Sequence, residues 1–220
     1  MGWSAQGRGL RVTPAALLSI VVALAMTACA VKPPRYLDDS CRILEDKKGW
    51  YRDTLRSYKR WGVPIAVQLA IVHQESRFVH NAKPPRRKIL WLIPGPRRSS
   101  AVGYAQATED AWDDYIRNTG RRGADRDDFG DAVDFIGWYG EMSRRKNGIS
   151  KNDAYSLYLA YHEGHGGYRK KSYLAKPWLM GVARKVRSRS ERYGVQLAGC
   201  ESKLRRRGWL LRMLLWPFGV

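Results

Sequence analysis

The fold is indicated most clearly by residues 64–78, which read PIAVQLAIVHQESRF. Pro64 suits the first turn of a helix, because its missing N–H group would have no partner there. Apolar side chains then follow at helical spacing and form one stripe, made of Ile65, Leu69 and Val72. Glu75 comes three residues after this stripe, at the edge of the face that the pattern buries. The stretch therefore predicts a helix that brings a lone carboxyl group to the boundary of the core.

The carboxyl group of Glu75 is a candidate general acid. At the end of a mostly apolar helix its ionised form is disfavoured, which keeps a proton available near neutral pH. The competing interpretation is a helix-end carboxylate that pairs with Arg77 or another nearby cation. The Glu75-Ser76 pair cannot decide between them, because so short a pair is common by chance, and the decision depends on motifs further along the chain.

Most of the body is also predicted to be helical. From residue 81 to residue 100 the helical spacing stops, and two proline-rich basic stretches enclose Ile89-Leu90-Trp91-Leu92-Ile93. We expect a long loop with a short strand or hairpin there, forming a cleft wall, a membrane-facing patch or a hydrophobic plug. The other helices are predicted to run from about residue 44 to Trp61, from Thr108 to Gly120, from Asp128 to Gly148, after Asp153, and from Pro177 onward.

The first 28 residues have the pattern of a secretory signal. Arg8 and Arg11 precede an apolar stretch over residues 15–25, and small residues follow before Cys29. This order resembles a bacterial lipoprotein cleavage site, at which Cys29 would carry lipid and residues 29–40 would form a tether. An ordinary signal peptide or an uncleaved anchor is the alternative. Ala30 after the cysteine suggests, by analogy with lipoprotein sorting, the periplasmic face of the outer membrane.

Two cysteines remain, Cys41 and Cys200, one at each end of the predicted domain over residues 41–201. Export would place both in a compartment that permits disulfides. We therefore predict a disulfide between Cys41 and Cys200, with two buried free thiols as the alternative. The length left for the body allows one domain with a real core.

The chain is strongly basic, with 40 Lys and Arg against 20 Asp and Glu. In a cytosolic protein this excess would first suggest nucleic acid, but export argues against that partner. An anionic partner in the cell envelope fits better, either cell-wall glycan with its peptide carboxylates or acidic lipid. Residues 202–220 mix cations with large apolar side chains, which predicts a basic amphipathic tail lying in a membrane interface, or a helix packed on the domain or a partner.

Three motifs in order, with helices between them, are much more specific than the Glu-Ser pair. They are Glu75-Ser76-Arg77-Phe78, Gly103-Tyr104-Ala105-Gln106 and Ala160-Tyr161-His162-Glu163-Gly164. Together they resemble the soluble-lytic-transglycosylase domain, over roughly residues 50–193. The resemblance implies an all-helical, lysozyme-like single domain with at most a small β hairpin.

Members of that family cleave the β-1,4 bond between N-acetylmuramic acid and N-acetylglucosamine in peptidoglycan and leave a 1,6-anhydro ring. By the resemblance, Glu75 is the catalytic acid and then the base, and no second carboxylate and no cofactor are needed. Substrate-binding or orienting roles follow in the same way for Ser76, Gly103, Tyr104, Gln106, Tyr161, His162 and Glu163.

Two of the motifs depart from the family pattern, which usually reads Gly-Leu-Met-Gln and Ala-Tyr-Asn-Ala-Gly. The replacements are Tyr104-Ala105 in the second motif and His162-Glu163 in the third. His162 is interpreted as a hydrogen-bonding substitute for the asparagine. Glu163 could activate water if it faced the cleft, but we expect it to be a loop charge that points to solvent.

The histidines raise the question of a metal, above all His162 and His165 on either side of Glu163 and Gly164. Their spacing differs from the His-Glu-x-x-His pattern that places two ligands on one helical face, so no metal site is predicted. Two alternatives to a lytic transglycosylase stay open: a muramidase that uses water, and a non-catalytic glycan-binding lipoprotein. The sequence makes no prediction of oligomeric state.

Overall fold

The computed structural model describes residues 31–89, 93–97 and 99–215, and helices dominate the body that begins at Pro33. The elements are α1 (Ser40–Asp46), α2 (Trp50–Trp61), α3 (Ile65–Ser76), β1 (Arg86–Ile89), β2 (Ile93–Arg97), α4 (Glu109–Thr119), α5 (Phe129–Asn147), α6 (Ala154–Arg169), a 3₁₀ turn η1 (Ser172–Ala175) and α7 (Pro177–Leu215). The predicted fold class, mainly helical and lysozyme-like, is confirmed.

The helices begin and end at residues whose chemistry suits those positions. Side-chain oxygens cap the N-termini of α1, α4, α5 and α6, from Asp39, Thr108, Asp128 and Asp153 respectively. Left-handed glycines end α2, α4 and α5, at Gly62, Gly120 and Gly148. Most of these boundaries agree with the predicted ones, because capping residues are local signals in the sequence.

One helix boundary was missed. Residues 44–61 were expected to form a single helix, but α1 ends at Asp46 and α2 begins at Trp50. Gly49 lies between them with φ 95°, a left-handed conformation that a helix interior cannot contain. The apolar spacing runs through this break, so periodicity alone could not reveal it.

Helix α3 lies at the centre of the fold. It packs against α7 and α5, and all of its residues from Ile65 to His73 are buried. The sequence predicted a single apolar stripe, whereas the structure surrounds the helix on every side. A helix that is apolar all round is expected in such a position, and its last turn places Glu75 at the partly buried edge of the core.

Helix α7 packs along α3, α6 and α1. The predicted pair Cys41 and Cys200 forms a disulfide that joins α1 to α7, with 6.1 Å between the Cα atoms. Beside it, the Ser40 hydroxyl donates to the Tyr193 carbonyl at 3.0 Å, and the Tyr193 hydroxyl donates to the Leu37 carbonyl. These contacts tie the start of the domain to its last helix.

A two-stranded antiparallel hairpin occupies the region predicted to hold a short strand or hairpin. β1 and β2 pair Arg86 with Arg97 and Ile89 with Ile93, with an irregularity after Arg86. The Arg97 guanidinium donates to the Pro84 carbonyl at 2.6 Å. The central residues 90–92 lie outside the described residues, so the proposed roles of this loop stay predictions.

The predicted tail does not begin as a separate segment, because α7 continues through residue 202. Leu204 is buried, Lys203 contacts Glu45 at 2.8 Å, and Arg205 contacts Tyr51 at 3.3 Å. Cys29, the predicted signal and residues 216–220 lie outside the described residues. Within the described ranges, no helix is both long and apolar enough to cross a membrane.

Candidate active site

Glu75 occupies the last turn of α3, where the chain leaves the helix sharply. Arg77 and Phe78 both adopt left-handed conformations, with φ 51° and 63°, which are uncommon for residues other than glycine. Phe78 is fully buried against Trp50, with 5.7 Å between the ring centroids. Its packing holds the strained exit in place, so that α3 ends directly after the Glu75-Ser76 pair.

The surroundings of the Glu75 carboxyl group shift it towards its protonated form, so that both forms are populated near neutral pH. Burial among apolar groups raises its pKa to about 7, and a hydrogen bond from the Tyr158 hydroxyl opposes part of that rise. Burial and the charge of Glu75 also raise the pKa of Tyr158 and of Tyr161. Both phenols therefore stay protonated at neutral pH. Tyr158 is the donor to Glu75, whereas Tyr161 interacts with Glu75 only through its charge.

The second motif forms a tight loop whose shape requires its glycine. Gly103 has φ 80°, and a Cβ atom there would lie 2.0 Å from the Arg126 carbonyl oxygen. Gln106 also has a left-handed backbone, and its amide nitrogen donates to the carbonyls of Ala82 at 2.8 Å and Gly103 at 2.9 Å. The amide NH₂ group of Gln106 thus stabilises the loop.

Tyr161 connects the second motif to the third. Its hydroxyl donates to the Ala105 carbonyl at 2.6 Å, and its pKa responds to the charge of Glu75. Tyr161 therefore contacts the second motif through Ala105 and lies close enough to Glu75 of the first motif for their charges to interact.

Two other residues predicted to bind substrate lie in the interior. Tyr104 is buried between Trp50 and Phe129, with ring centroids 5.6 and 5.4 Å away, and burial raises its pKa to about 12. The Ser76 hydroxyl donates back to the Val72 carbonyl at 3.2 Å and is also buried. Tyr104 replaces an apolar residue of the family pattern, and an aromatic core position is the physical reason that it fits.

The expectation that Glu163 points to solvent is wrong. Its side chain is only 4% exposed and accepts hydrogen bonds from Lys176 at 2.8 Å, from His162 Nδ1 at 3.0 Å and from Ser172. Burial alone would raise the pKa of this carboxyl, but the bonds from Lys176, Ser172 and His162 lower it to about 2. Glu163 is therefore a fully engaged carboxylate and a weak base.

A groove of about 670 Å³ opens next to these residues. It runs between α4, α5 and the second half of α6, and its lining includes Gln106, Asp114, Trp138, Tyr139, Tyr161 and His162. Glu75 does not line the groove, but Tyr161 contributes to it and also lies near the Glu75 carboxyl. A groove of this size with aromatic walls and scattered polar groups suits a polar chain-like ligand such as a glycan.

The histidines occupy separate environments. His73 is buried and its Nδ1 has no hydrogen-bond partner, and burial lowers its pKa to about 4. The ring of His165 stacks on Tyr139 with centroids 4.3 Å apart. Among the described residues, no three or more His, Cys, Asp or Glu side chains form a group that could hold a metal ion.

Sequence reasoning missed two contributors to the site. Tyr158 was interpreted only as part of an apolar stripe, although its spacing of three residues from Tyr161 places both on one side of α6. That spacing was the available signal. Lys176 had none, since only the tertiary structure brings it to Glu163.

The fold and this site define a helical, lysozyme-like domain of the kind that cleaves glycans. A model of the transglycosylase SLT domain family matches residues 17–200, which is most of the sequence. The chain therefore belongs to the transglycosylase SLT domain family, and this membership indicates a lytic transglycosylase type of enzyme with peptidoglycan as its substrate. A comparison with curated proteins finds no significant match.

Proposed function

We propose that this protein cleaves the β-1,4 bond after N-acetylmuramic acid in peptidoglycan with Glu75 as its only catalytic carboxyl group. The observation that supports this most directly is the pKa of Glu75, which burial raises to about 7. A carboxyl group with this pKa is both a usable acid and a usable base at neutral pH. The proposed reaction needs Glu75 first as an acid and then as a base.

In the first step the protonated Glu75 donates its proton to the glycosidic oxygen, and the bond from that oxygen to C1 breaks. The N-acetyl group of the muramoyl sugar stabilises the positive charge that develops at C1. In the second step the Glu75 carboxylate removes the proton of the C6 hydroxyl, whose oxygen bonds to C1. The product is a 1,6-anhydro sugar, and Glu75 regains the proton that it gave away.

The described surroundings of Glu75 favour this route over hydrolysis. Glycosidases that activate water or form a covalent intermediate use a second carboxyl group. Glu163 was the candidate for that second group, but three donors engage it and its pKa is about 2. Within the described part of the chain, Tyr158 and Tyr161 interact with Glu75. Tyr158 is suited to orient the carboxyl group, and Tyr161, which also lines the groove, to contact the substrate.

We also propose that the protein acts at the periplasmic face of the envelope, held by lipid on Cys29, with the outer membrane as its site. The sequence pattern around Cys29 and the oxidised state of Cys41 and Cys200 support export. Metabolic labelling with a radioactive fatty acid should mark the wild-type chain and not Cys29→Ala. Membrane fractionation then distinguishes the outer from the inner membrane.

The function is tested by mass spectrometry of the muropeptides that the full chain, purified in detergent, releases from sacculi. Anhydro-muramoyl products are expected, and Glu75→Gln should lower their rate of release by about 10²–10⁴-fold, since it cannot transfer a proton. Glu191→Gln, which changes an exposed carboxylate on α7, is the matched control and should retain activity.

The competing functions predict other products. Reducing ends in place of anhydro ends would identify a muramidase. Binding to sacculi without release, equal in the wild type and Glu75→Gln, would identify a non-catalytic glycan-binding lipoprotein.

A further inference from the structure

Among the tryptophans whose side chains the structure describes, Trp178 is the exposed one, and Trp61 is partly buried. The Trp178 side chain is 58% exposed, whereas Trp50, Trp112 and Trp138 are each at most 8% exposed. An exposed indole ring combines a large apolar surface with a polar N–H group, and tryptophan is enriched at binding interfaces for that reason.

The ring of Trp178 meets the ring of His162 edge to face, with 5.2 Å between the centroids and an interplanar angle of 79°. His162 lines the groove beside Tyr161. The exposed indole therefore continues the groove surface outward from the third motif, on the side of α7.

Glu163 anchors the two neighbours of the Trp178 ring, His162 and Lys176. This carboxylate binds Lys176, two residues before Trp178, and also the imidazole that Trp178 contacts. Pro177 provides the first residue of α7, where its fixed φ angle favours the helix. Because Glu163 stays ionised above about pH 2, this support persists at every physiological pH.

From this placement we propose that Trp178 and His162 form a saccharide subsite that extends the groove outward past Tyr161. The ligand is an N-acetylhexosamine unit of the glycan strand, whose ring presents a face of C–H groups to the indole. The imidazole edge provides a hydrogen-bonding group beside that face. This inference rests on the proposed function, because it assumes that a glycan strand occupies the groove.

The kinetic test compares Trp178→Ala, Trp178→Phe and Leu174→Ala in the full chain, with sacculi as substrate. Trp178→Ala should raise KM by about three- to tenfold without lowering kcat, which is the usual contribution of one aromatic contact. Trp178→Phe should keep most of the affinity. Leu174 is equally exposed, at 58%, and lies in η1, so Leu174→Ala is the matched control and should leave KM unchanged.

A second measurement separates this subsite from the catalytic proposal. Cosedimentation with sacculi uses Glu75→Gln forms with and without Trp178→Ala, so it works even if no cleavage is found. Loss of binding with Trp178→Ala supports the subsite. Unchanged binding together with an unchanged KM would overturn the subsite. Equal losses of affinity for Trp178→Ala and Leu174→Ala would also overturn it, if the wild type adsorbs to anionic phospholipid vesicles.

Because Trp178 is exposed, its replacement should leave the fold intact, which thermal unfolding checks. If Trp178→Ala proved unstable, Trp178→Gln would provide the same comparison in both measurements.

Discussion

At the scale of single residues, the chemistry of Glu75 is set by what surrounds its carboxyl group. The same residue at an exposed helix end would be ionised at pH 7 and would have no proton to give. In this protein burial raises its pKa to about 7, and the Tyr158 hydroxyl limits the rise. Tyr158 is therefore a positioning residue that also adjusts the acidity of Glu75.

The first prediction at this scale concerns Tyr158→Phe. Removal of a donor to the carboxylate should raise the pKa of Glu75 above its wild-type value. Since cleavage begins from the protonated acid, kcat/KM should fall as pH rises through that pKa. The decline should begin near pH 7 in the wild type and at higher pH in Tyr158→Phe.

The pH profile of muropeptide release between pH 5 and pH 9 measures this difference. Tyr58→Phe alters an exposed phenol on α2 and serves as the control, with a wild-type profile expected. A basic limb at the same pH in wild type and Tyr158→Phe would contradict the role given to the Tyr158 hydroxyl.

At the scale of secondary-structure elements, Glu163 joins three segments. It lies on α6 directly before Gly164, whose φ angle is positive, and it binds Ser172 of η1 and Lys176, the residue that precedes α7. The partners are 9 and 13 residues away, beyond the range over which helical spacing carries information. The sequence therefore showed an unusual glutamate but could not show that it is buried and paired.

Glu163→Gln is predicted to destabilise the fold in a pH-dependent way. The folded-state pKa of Glu163, about 2, lies below its ordinary value of 4.5. Its ionised form therefore contributes stability above pH 4.5, and this contribution is lost as pH falls towards 2. Glu163→Gln should lower the free energy of unfolding by about 1–3 kcal/mol at pH 7, allowing for the partial exposure of Lys176.

Urea unfolding of wild type and Glu163→Gln at pH 7 and pH 3 tests the sign. The difference between the two proteins should shrink at pH 3, because at that pH Glu163 is protonated in the unfolded wild type but still largely ionised in the folded protein, so that folding must release a proton. Glu109→Gln provides a control, since Glu109 is an exposed carboxylate at the start of α4. A constant difference at both pH values would show that the ionised form of Glu163 contributes nothing.

At the scale of the whole molecule, the ends of the domain are joined covalently. The Cys41–Cys200 disulfide closes a loop with a sequence separation of 159 residues, and it links α1 to the helix that packs on α3. Closing so long a loop removes much of the freedom of the unfolded chain. The disulfide thus stabilises the folded domain that holds Glu75, although it lies away from the site itself.

Replacement of both cysteines, in Cys41→Ser with Cys200→Ser, is predicted to lower the free energy of unfolding by about 2–5 kcal/mol. Chemical denaturation with and without a reducing agent measures the effect. The reductant should destabilise the wild type and leave the double variant unchanged, which makes the double variant its own control. Equal midpoints for oxidised and reduced wild type would contradict a stabilising bridge.

A buried charge network shows what the whole molecule adds beyond local pattern. Asp134 is 3% exposed and binds Arg60, Arg121, the Trp61 indole N–H and the Tyr115 hydroxyl. These partners come from α2, from α4 and from the loop after α4. A carboxylate with this many donors is stable in the interior, but nothing in its sequence neighbourhood predicts such a set of partners.

The sequence by itself determined the helical class, most helix ends and the three motifs of the site, because caps, glycines and apolar spacing act over a few residues. It also indicated Glu75 as the acid and Cys41 with Cys200 as a bridge. Only the tertiary structure decided that α3 is buried on all sides, that Tyr104 belongs to the core and that Glu163 is an engaged anion near Trp178. Those outcomes depend on contacts between residues that are far apart in the sequence. Burial and ion pairing arise from such contacts, so local sequence patterns do not reveal them.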